Sequence, residues 1–328
     1  MAFYVALPAL IKVISAWPKL LHMDYRWMAV MFVAEVASFV CAAWLLRLLL
    51  RTTQWFNVVA ALLVGNAVTN VLPAGDVAGA GVQFQMLAIG GIDADQAAGG
   101  LTASSIIGLA GLLMLPVFAL PALIGGEPVS AGLEHAAFLG LGGFVLIVGF
   151  AAILLTTDVV LVKLANGLQW LLNVIPRRKS RTEGLARRLQ DQRDMVRTDL
   201  GRRWWQAALL IGGRIGLDYV ALLAALRATG ARPHPSLVLL AYAATAVIAL
   251  VPLTPGGLGI VEASLSGLLV LAGVPSANAI IATLAYRLVT YWLPIFVGGG
   301  IYIEFRRRHG PVKMGAGNRP NPSQDQTA

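Results

Sequence analysis

The run Pro252-Leu253-Thr254-Pro255-Gly256-Gly257-Leu258-Gly259-Ile260-Val261-Glu262 interrupts a long apolar stretch with two prolines and three glycines, then sets a carboxylate in the following turn. Proline removes a helix-bonding N–H and glycine frees the backbone, so no uninterrupted helix can cross this segment. Lipid tolerates unpaired backbone and a charge only where protein or a water-filled cavity receives them. A helix broken here therefore builds a site. A second break, Pro73-Ala74-Gly75-Asp76, occurs earlier in the chain.

Hydrophobic residues make up 58% of the 328 and charged residues 12%, about half the charged share of a soluble globular protein. The mean hydropathy is +0.74, and several windows approach or exceed the ~20 apolar residues that cross a bilayer. The expected fold class is an all-α polytopic membrane protein. The net charge of +9 is concentrated beside apolar segments. Between Arg177 and Arg203, ten Lys/Arg stand against four acidic residues, Arg306–Arg308 end the last apolar segment, and Arg47 and Arg51 end an early one. Basic residues at span ends set orientation and touch anionic headgroups, so the basic segment is expected to meet anionic membrane lipids and not nucleic acid. Cys41 is a single cysteine, and His22, His135, His234 and His309 are scattered. That spacing fits no metal-ligand set, and neither metal nor cofactor is expected.

Along the chain, residues 1–308 read as one transmembrane domain with halves at about 1–122 and 137–303, and 309–328 as a disordered cytoplasmic tail. Residues 2–18 look like the end of a first helix. Residues 26–50 form a span, and the segments 55–72 and 81–91 flank the Pro73–Asp76 break. Eleven residues make a helix of only ~17 Å, against a core of ~30 Å, which predicts a re-entrant pair over 55–91. Spans are predicted at 97–122, capped by Asp93 or Asp95, and at 137–164, followed by an amphipathic cytoplasmic loop over 173–203. The second part repeats the plan: a span at 203–228, a half-helix at 236–252, a turn at 254–259, a returning half-helix at 260–273, and a span at 277–303 capped by Ser276. The shift that carries Pro73 onto Pro255 also carries Gly75 onto Gly257, Gly91 onto Gly273 and Ala97 onto Ala279. With the basic clusters inside, the two halves have the same element order and opposite orientation. That is the inverted-repeat plan of many transporters, in which broken helices meet near the midplane.

Ionisable residues at depth mark the candidate site. Glu262 falls in the first turn of the returning half-helix, where the helix dipole favours a carboxylate. Arg287 lies about 15 Å into the last span at 1.5 Å per residue, with Arg214 and Glu35 at similar depths in theirs. Unpaired, each would cost about 2.5–3.5 kcal/mol, so they are expected to face one another or water. Two structural readings stand beside a functional one: Arg214 and Asp218, four residues apart, could form a local ion pair, and Glu262–Arg287 could simply tie the hairpin. In the functional reading Arg287 and Arg214 bind a lipid phosphate, for which the planar guanidinium fork is well matched. Glu262 and Asp76 then act as counter-charges, and Tyr291, with Tyr242, Tyr286 and Trp292, lines the path. Pro73, Gly75, Pro255, Gly256, Gly257 and Gly259 form the two hinges.

Pro255-Gly256-Gly257-Leu258-Gly259-Ile260-Val261-Glu262, then Gly273-Val274, Arg287-Leu288-Val289-Thr290-Tyr291 and Leu293-Pro294, resemble the signature of the lysylphosphatidylglycerol synthase transmembrane-region, or flippase-like, family. Asn70-Val71-Leu72-Pro73-Ala74-Gly75-Asp76 is similar to its first-half motif, and the resemblance covers roughly 25–305. It implies a prokaryotic multi-pass plasma-membrane protein with a cytoplasmic C-terminus that moves a polar lipid between leaflets. The chain departs from the family pattern in having no basic residue over Val77–Met86 and Ser105 in the place corresponding to Arg287. The headgroup is therefore expected to differ from aminoacylated phosphatidylglycerol. Too few residues follow Arg308 for the family's soluble aminoacyltransferase domain, so a transporter and not an enzyme is expected. The substrate expected is a polar lipid or a polyprenyl-phosphate-linked carrier. The alternatives are a membrane anchor for a separate synthase or glycosyltransferase, docked at 173–203, and a membrane-embedded lipid-modifying enzyme.

Overall fold

The computed structural model describes residues 23–72, 75–124, 142, 149, 185–250 and 254–310, helices joined by turns and short irregular links, with no strand among them. The expected segment 2–18, nearly all of the expected span 137–164, and most of the tail lie outside the described residues. Helix α1, Tyr25–Leu49, opens on Asp24, whose carboxylate accepts from the Arg26 amide at 2.9 Å. It is followed by α2, Trp55–Val71, and α3, Gly75–Ile89, which begins earlier than the expected 81 because Gly75 can lie directly against α2. Helix α4, Ala94–Ile124, is capped by Asp93, which accepts from the amides of Asp95 (3.1 Å) and Gln96 (3.4 Å).

The second part begins with α5, Leu185–Ala228, a helix of 44 residues. Residues 185–203, expected to belong to a separate loop, are its first portion. Arg, Leu, Gln and Met are good helix formers, and only Gly201 interrupts them before Trp204. Next come α6, Pro235–Ala249, a 3-10 turn at Pro255–Gly257, α7, Ile260–Leu271, and α8, Ser276–Arg287. Ser276, expected as the cap of α8, is instead its first helical residue, and Pro275 holds the cap position without a side-chain bond. A π-helical segment, Leu288–Trp292, joins α8 to α9, Leu293–His309. Its cause is local: Pro294 has no N–H to return to Thr290, and the Leu293 amide bonds five residues back to Leu288 O.

Three described helices are long and apolar enough to cross a membrane: Tyr25–Leu49, Trp204–Ala228 and the continuous Ser276–His309. Val33, Leu209 and Phe296 are among the large side chains these helices expose, as lipid-facing surfaces do. By contrast α6 and α7, with 15 and 12 residues, reach only ~22 and ~18 Å.

Helices α2 and α3 form a hairpin whose open end is closed by Asn57 Nδ2, which donates to Gly90 O at 3.1 Å. Arg47 lies over the Trp55 ring at 4.5 Å, Arg308 over the Phe56 ring at 4.2 Å, and Gln96 Nε2 donates to Leu50 O. The ends of α1, α3 and α9 and the starts of α2 and α4 thus share one side of the molecule. At the other side the Asp24 amide donates to Ala228 O (3.1 Å), Asn278 Nδ2 to Thr229 O (2.7 Å), and Tyr219 Oη to Pro235 O (2.5 Å). Here the α6–α7 hairpin has its open end, with Leu240 packed on Ala272.

The halves also exchange support. The α2–α3 hairpin rests on α9 of the second half, the α6–α7 hairpin on α4 of the first, and α1 packs along α5. The hairpins end alike. Gly91 (φ 85°) and Gly273 (φ 87°) occupy the left-handed region, and the amides after them, of Ile92 and Val274, bond back to Leu87 O and Leu269 O at 3.0 Å each. This six-to-one closure needs a residue without Cβ strain at the glycine position.

Helix association in lipid depends on close packing, which small residues permit. A Cβ at Gly298 of α9 would sit 2.6 Å from Leu63 O and 2.9 Å from Ala67 Cβ of α2, whereas one at Gly299 would meet nothing within 4 Å. Gly298→Ala is therefore expected to destabilise the protein by about 1–3 kcal/mol, read as a lower melting temperature in detergent. Gly299→Ala should leave it unchanged, and equal effects of the two would contradict this packing.

Candidate functional site

Glycine builds the second turn because the backbone there is left-handed: Gly256, Gly257 and Gly259 have φ of 56°, 70° and 84°. The Gly257 amide donates to Thr254 O at 3.0 Å, and Thr254 Oγ1 to Leu258 O at 2.9 Å. Glu262 then reaches back, its Oε2 accepting from the Gly259 amide at 2.5 Å, which satisfies one of the free donors at the start of α7. Its other oxygen accepts from Arg287 Nε at 2.7 Å. Arg287 Nη2 donates to Gly256 O at 3.0 Å, and the guanidinium lies over the Tyr291 ring at 4.5 Å. The pair is largely enclosed, with side chains 13% and 20% exposed for Arg287 and Glu262.

Tyr291 carries the cluster to the other half. Its hydroxyl donates to Asn70 O at 2.6 Å, and Asn70 Nδ2 donates back to Tyr291 O at 3.3 Å. A Cβ on Gly256 would lie 2.4 Å from the Tyr291 ring and 3.1 Å from Asn70 O, so the two broken regions touch. Tyr291 sits in the π segment, a geometry often found at functional sites.

The structure therefore brings together Arg287, Glu262, Tyr291, Gly256 and Gly259 with Asn70. It does not bring Asp76 to this cluster: Asp76 is exposed in the first turn of α3 and makes no hydrogen bond or ion pair with the described residues. Pro73 lies outside the described residues, while Gly75 is buried, its carbonyl accepting from Thr69 Oγ1 at 3.2 Å. Arg214 belongs elsewhere. It is exposed on α5, where its carbonyl accepts from Ser38 Oγ at 3.0 Å. The local pair with Asp218 does not form within 4.0 Å, because Asp218 is turned toward two phenols. Tyr286 Oη donates to both its oxygens at 2.9 Å, and Tyr242 Oη donates to Oδ2. The linking role of Asn70 escaped sequence reasoning, although the residue opens the first-half motif. Its one outward sign was an amide side chain at the end of a largely apolar helix.

An apolar groove of about 260 Å³ runs between α1, α2 and α9. Its wall includes Phe39, Trp55, Leu62, Leu293 and Pro294, the last two following directly on the π segment. Among the described residues, no group of three or more His, Cys, Asp or Glu could hold a metal ion.

The geometry can be set beside known proteins. The chain is 36% identical over 70 residues to a UPF0104 membrane protein of Pyrococcus horikoshii, a match spanning 21% of each chain. No solved structure matches it significantly. Residues 1–298 match the family described as the lysylphosphatidylglycerol synthase TM region. With nearly its whole length matched, this membrane protein belongs to that family.

Proposed function

We propose that the protein translocates a polar, phosphate-bearing lipid between leaflets, with the Arg287 cluster as its headgroup site and no chemistry of its own. The observation that carries this reading is Arg287 itself. It is a guanidinium in an apolar helix, held by one carboxylate and one carbonyl where two broken regions meet. Such a charge is expensive in lipid and marks a pathway. Its bonds to Glu262 and Gly256 use Nε and Nη2, so Nη1 remains to receive a phosphate oxygen. A charge-assisted N–H of this kind suits that ligand. The apolar groove beside Leu293–Pro294 gives an acyl chain a place while the headgroup occupies the cluster.

In this reading the two hairpins are re-entrant half-helices of an inverted repeat. Support comes from their short lengths, their opposed open ends, the exchange of partners and the matched glycine caps. The side bearing Arg47, Arg51 and Arg306–Arg308 is assigned to the cytoplasm of a prokaryotic plasma membrane by the positive-inside rule. A single cysteine at Thr53 should then be protected from an impermeant thiol reagent in intact cells, and one at His234 labelled. The reverse pattern would invert the orientation.

The headgroup assignment is tested by photo-crosslinking. A phospholipid carrying its photoreactive group in the headgroup should attach to peptides spanning Gly256–Glu262 or Arg287–Trp292. Excess anionic phospholipid should compete and excess diacylglycerol should not. Attachment confined to the ends of the helices would remove the site.

A further inference from the structure

The second polar cluster, one residue along α8 from Arg287, has no place in headgroup binding. Glu35 of α1 is 4% exposed in an apolar helix, and its Oε2 is buried with no hydrogen-bond partner. One turn from Glu35, Ser38 Oγ donates to Arg214 O of α5 at 3.0 Å. Along this packed α1–α5 contact the Glu35 carboxyl faces Asp218, near enough to share a side-chain hydrogen bond. Two carboxyl groups can share such a bond only if one of them carries a proton. Asp218 already receives the phenols of Tyr286 and Tyr242, so the vacant acceptor belongs to Glu35.

The charge of Arg214 reaches Glu35 and offsets part of the repulsion between the carboxyls. From α5 come Arg214, exposed and in no ion pair with either carboxyl, and Tyr219, whose ring lies 5.8 Å from that of Tyr242. Tyr242 comes from α6 and Tyr286 from α8; Cys41 lies further along α1, beside Gly213. The π segment, which also meets α1, brings Tyr291, whose hydroxyl is committed to Asn70. Helix α4 packs on α1 and α6 with no titratable side chain beyond Asp95 in its first turn, and α2 has none. A buried acid pair of this kind inside a membrane span is the arrangement that proton relays use.

We propose that Glu35 and Asp218 form a proton-binding site and that its loading and unloading couples lipid movement to a proton gradient. This rests on the translocation reading above. A proton from water on one side binds the vacant Glu35 oxygen, and the proton already shared by the two carboxyls passes to Asp218. The doubly protonated pair is neutral; one proton then leaves to water on the other side. The mechanical link is one helix. Tyr286 reads the charge on Asp218, and its neighbour Arg287 holds Glu262 and Gly256. Neutralising Asp218 weakens the two phenol bonds and lets α8 shift at the adjoining π segment, which loosens the arginine's hold on the turn.

The test uses the full chain in liposomes and two readouts. Infrared spectra at neutral pH should contain a protonated-carboxyl C=O band that shifts in D2O. The band should be lost in Glu35→Gln and should only shift in frequency in Asp218→Asn, where Glu35 stays buried; both changes are near-isosteric and keep the hydrogen-bonding shape. In the same liposomes, an imposed pH gradient should change the wild-type rate of lipid movement about tenfold, and Glu35→Gln should lose that response. A wild type without the band, or one whose lipid movement ignores the pH gradient or follows a sodium gradient instead, would overturn the proposal. If the band is present and no lipid moves under any gradient, the translocation reading fails and takes the coupling with it, while the proton site stands.

Discussion

Arg287→Leu is expected to abolish lipid movement in liposomes while the protein still inserts in the membrane. The guanidinium is the one cationic donor held between the turn of Gly256 and the ring of Tyr291 among the described residues. Leucine offers neither charge nor fork. The variant also strands Glu262 without its cation, and removing one partner of an enclosed pair costs about 3–5 kcal/mol. Because both side chains keep some exposure, the lower end of that range is expected. Glu262→Gln combined with Arg287→Leu separates the two effects. Glutamine can still accept from the Gly259 amide as Glu262 does, so the double variant should regain most of the lost melting temperature and none of the transport. Recovery of both would make the pair a structural tie and place the headgroup elsewhere.

A comparably large effect is expected from Gly75→Ala, outside the Arg287 cluster. A Cβ there would lie 2.0 Å from Thr69 O and 2.6 Å from Thr69 C, both backbone atoms of α2 that cannot swing aside. Four residues on, Gly79 is under the same constraint, with a Cβ 2.6 Å from Gly65 O. The α2–α3 hairpin must open to admit either methyl group. Overpacking of this kind costs about 1–3 kcal/mol and sometimes more. The consequence reaches the site because Asn70, the next residue of α2 after Thr69, holds Tyr291 by two hydrogen bonds. Gly75→Ala should therefore lower both the melting temperature and the rate of lipid movement at least tenfold. Gly81→Ala, in a position with nothing within 4 Å, should do neither.

The parts of this architecture that the sequence displayed are those fixed locally. Proline and glycine dictate backbone at their own positions, so both breaks were visible, as was the pairing of Gly91 with Gly273. A cap at Asp93 or Asp95 followed from the same kind of local chemistry, and Asp93 is the one that accepts. Features that depend on how helices rotate against one another were hidden. Arg214 and Asp218 have the spacing of an ion pair, yet α6 and α8 bring two phenols to Asp218, and no spacing within α5 announces that. Glu35 meets Asp218 only through the packing of α1 along α5. The π segment had one visible sign, Pro294, which is equally consistent with a kink or a helix start. The helical spacing of Leu185, Leu189 and Met195 was visible, but the continuity of 185–203 with the span was not, because a charged amphipathic segment reads as a separate loop.

The central claim is that lipid crosses at the junction of the two turns. Its most direct measurement is leaflet exchange in liposomes containing the purified wild-type chain and a trace of fluorescent anionic phospholipid. An impermeant quencher reads the fraction remaining in the inner leaflet over time. The account predicts that the protected fraction falls in liposomes containing wild-type protein and stays at one half in those containing Arg287→Leu. A protected fraction that stays at one half with wild-type protein, across anionic phospholipids and a polyprenyl phosphate and with or without an imposed ion gradient, would contradict it.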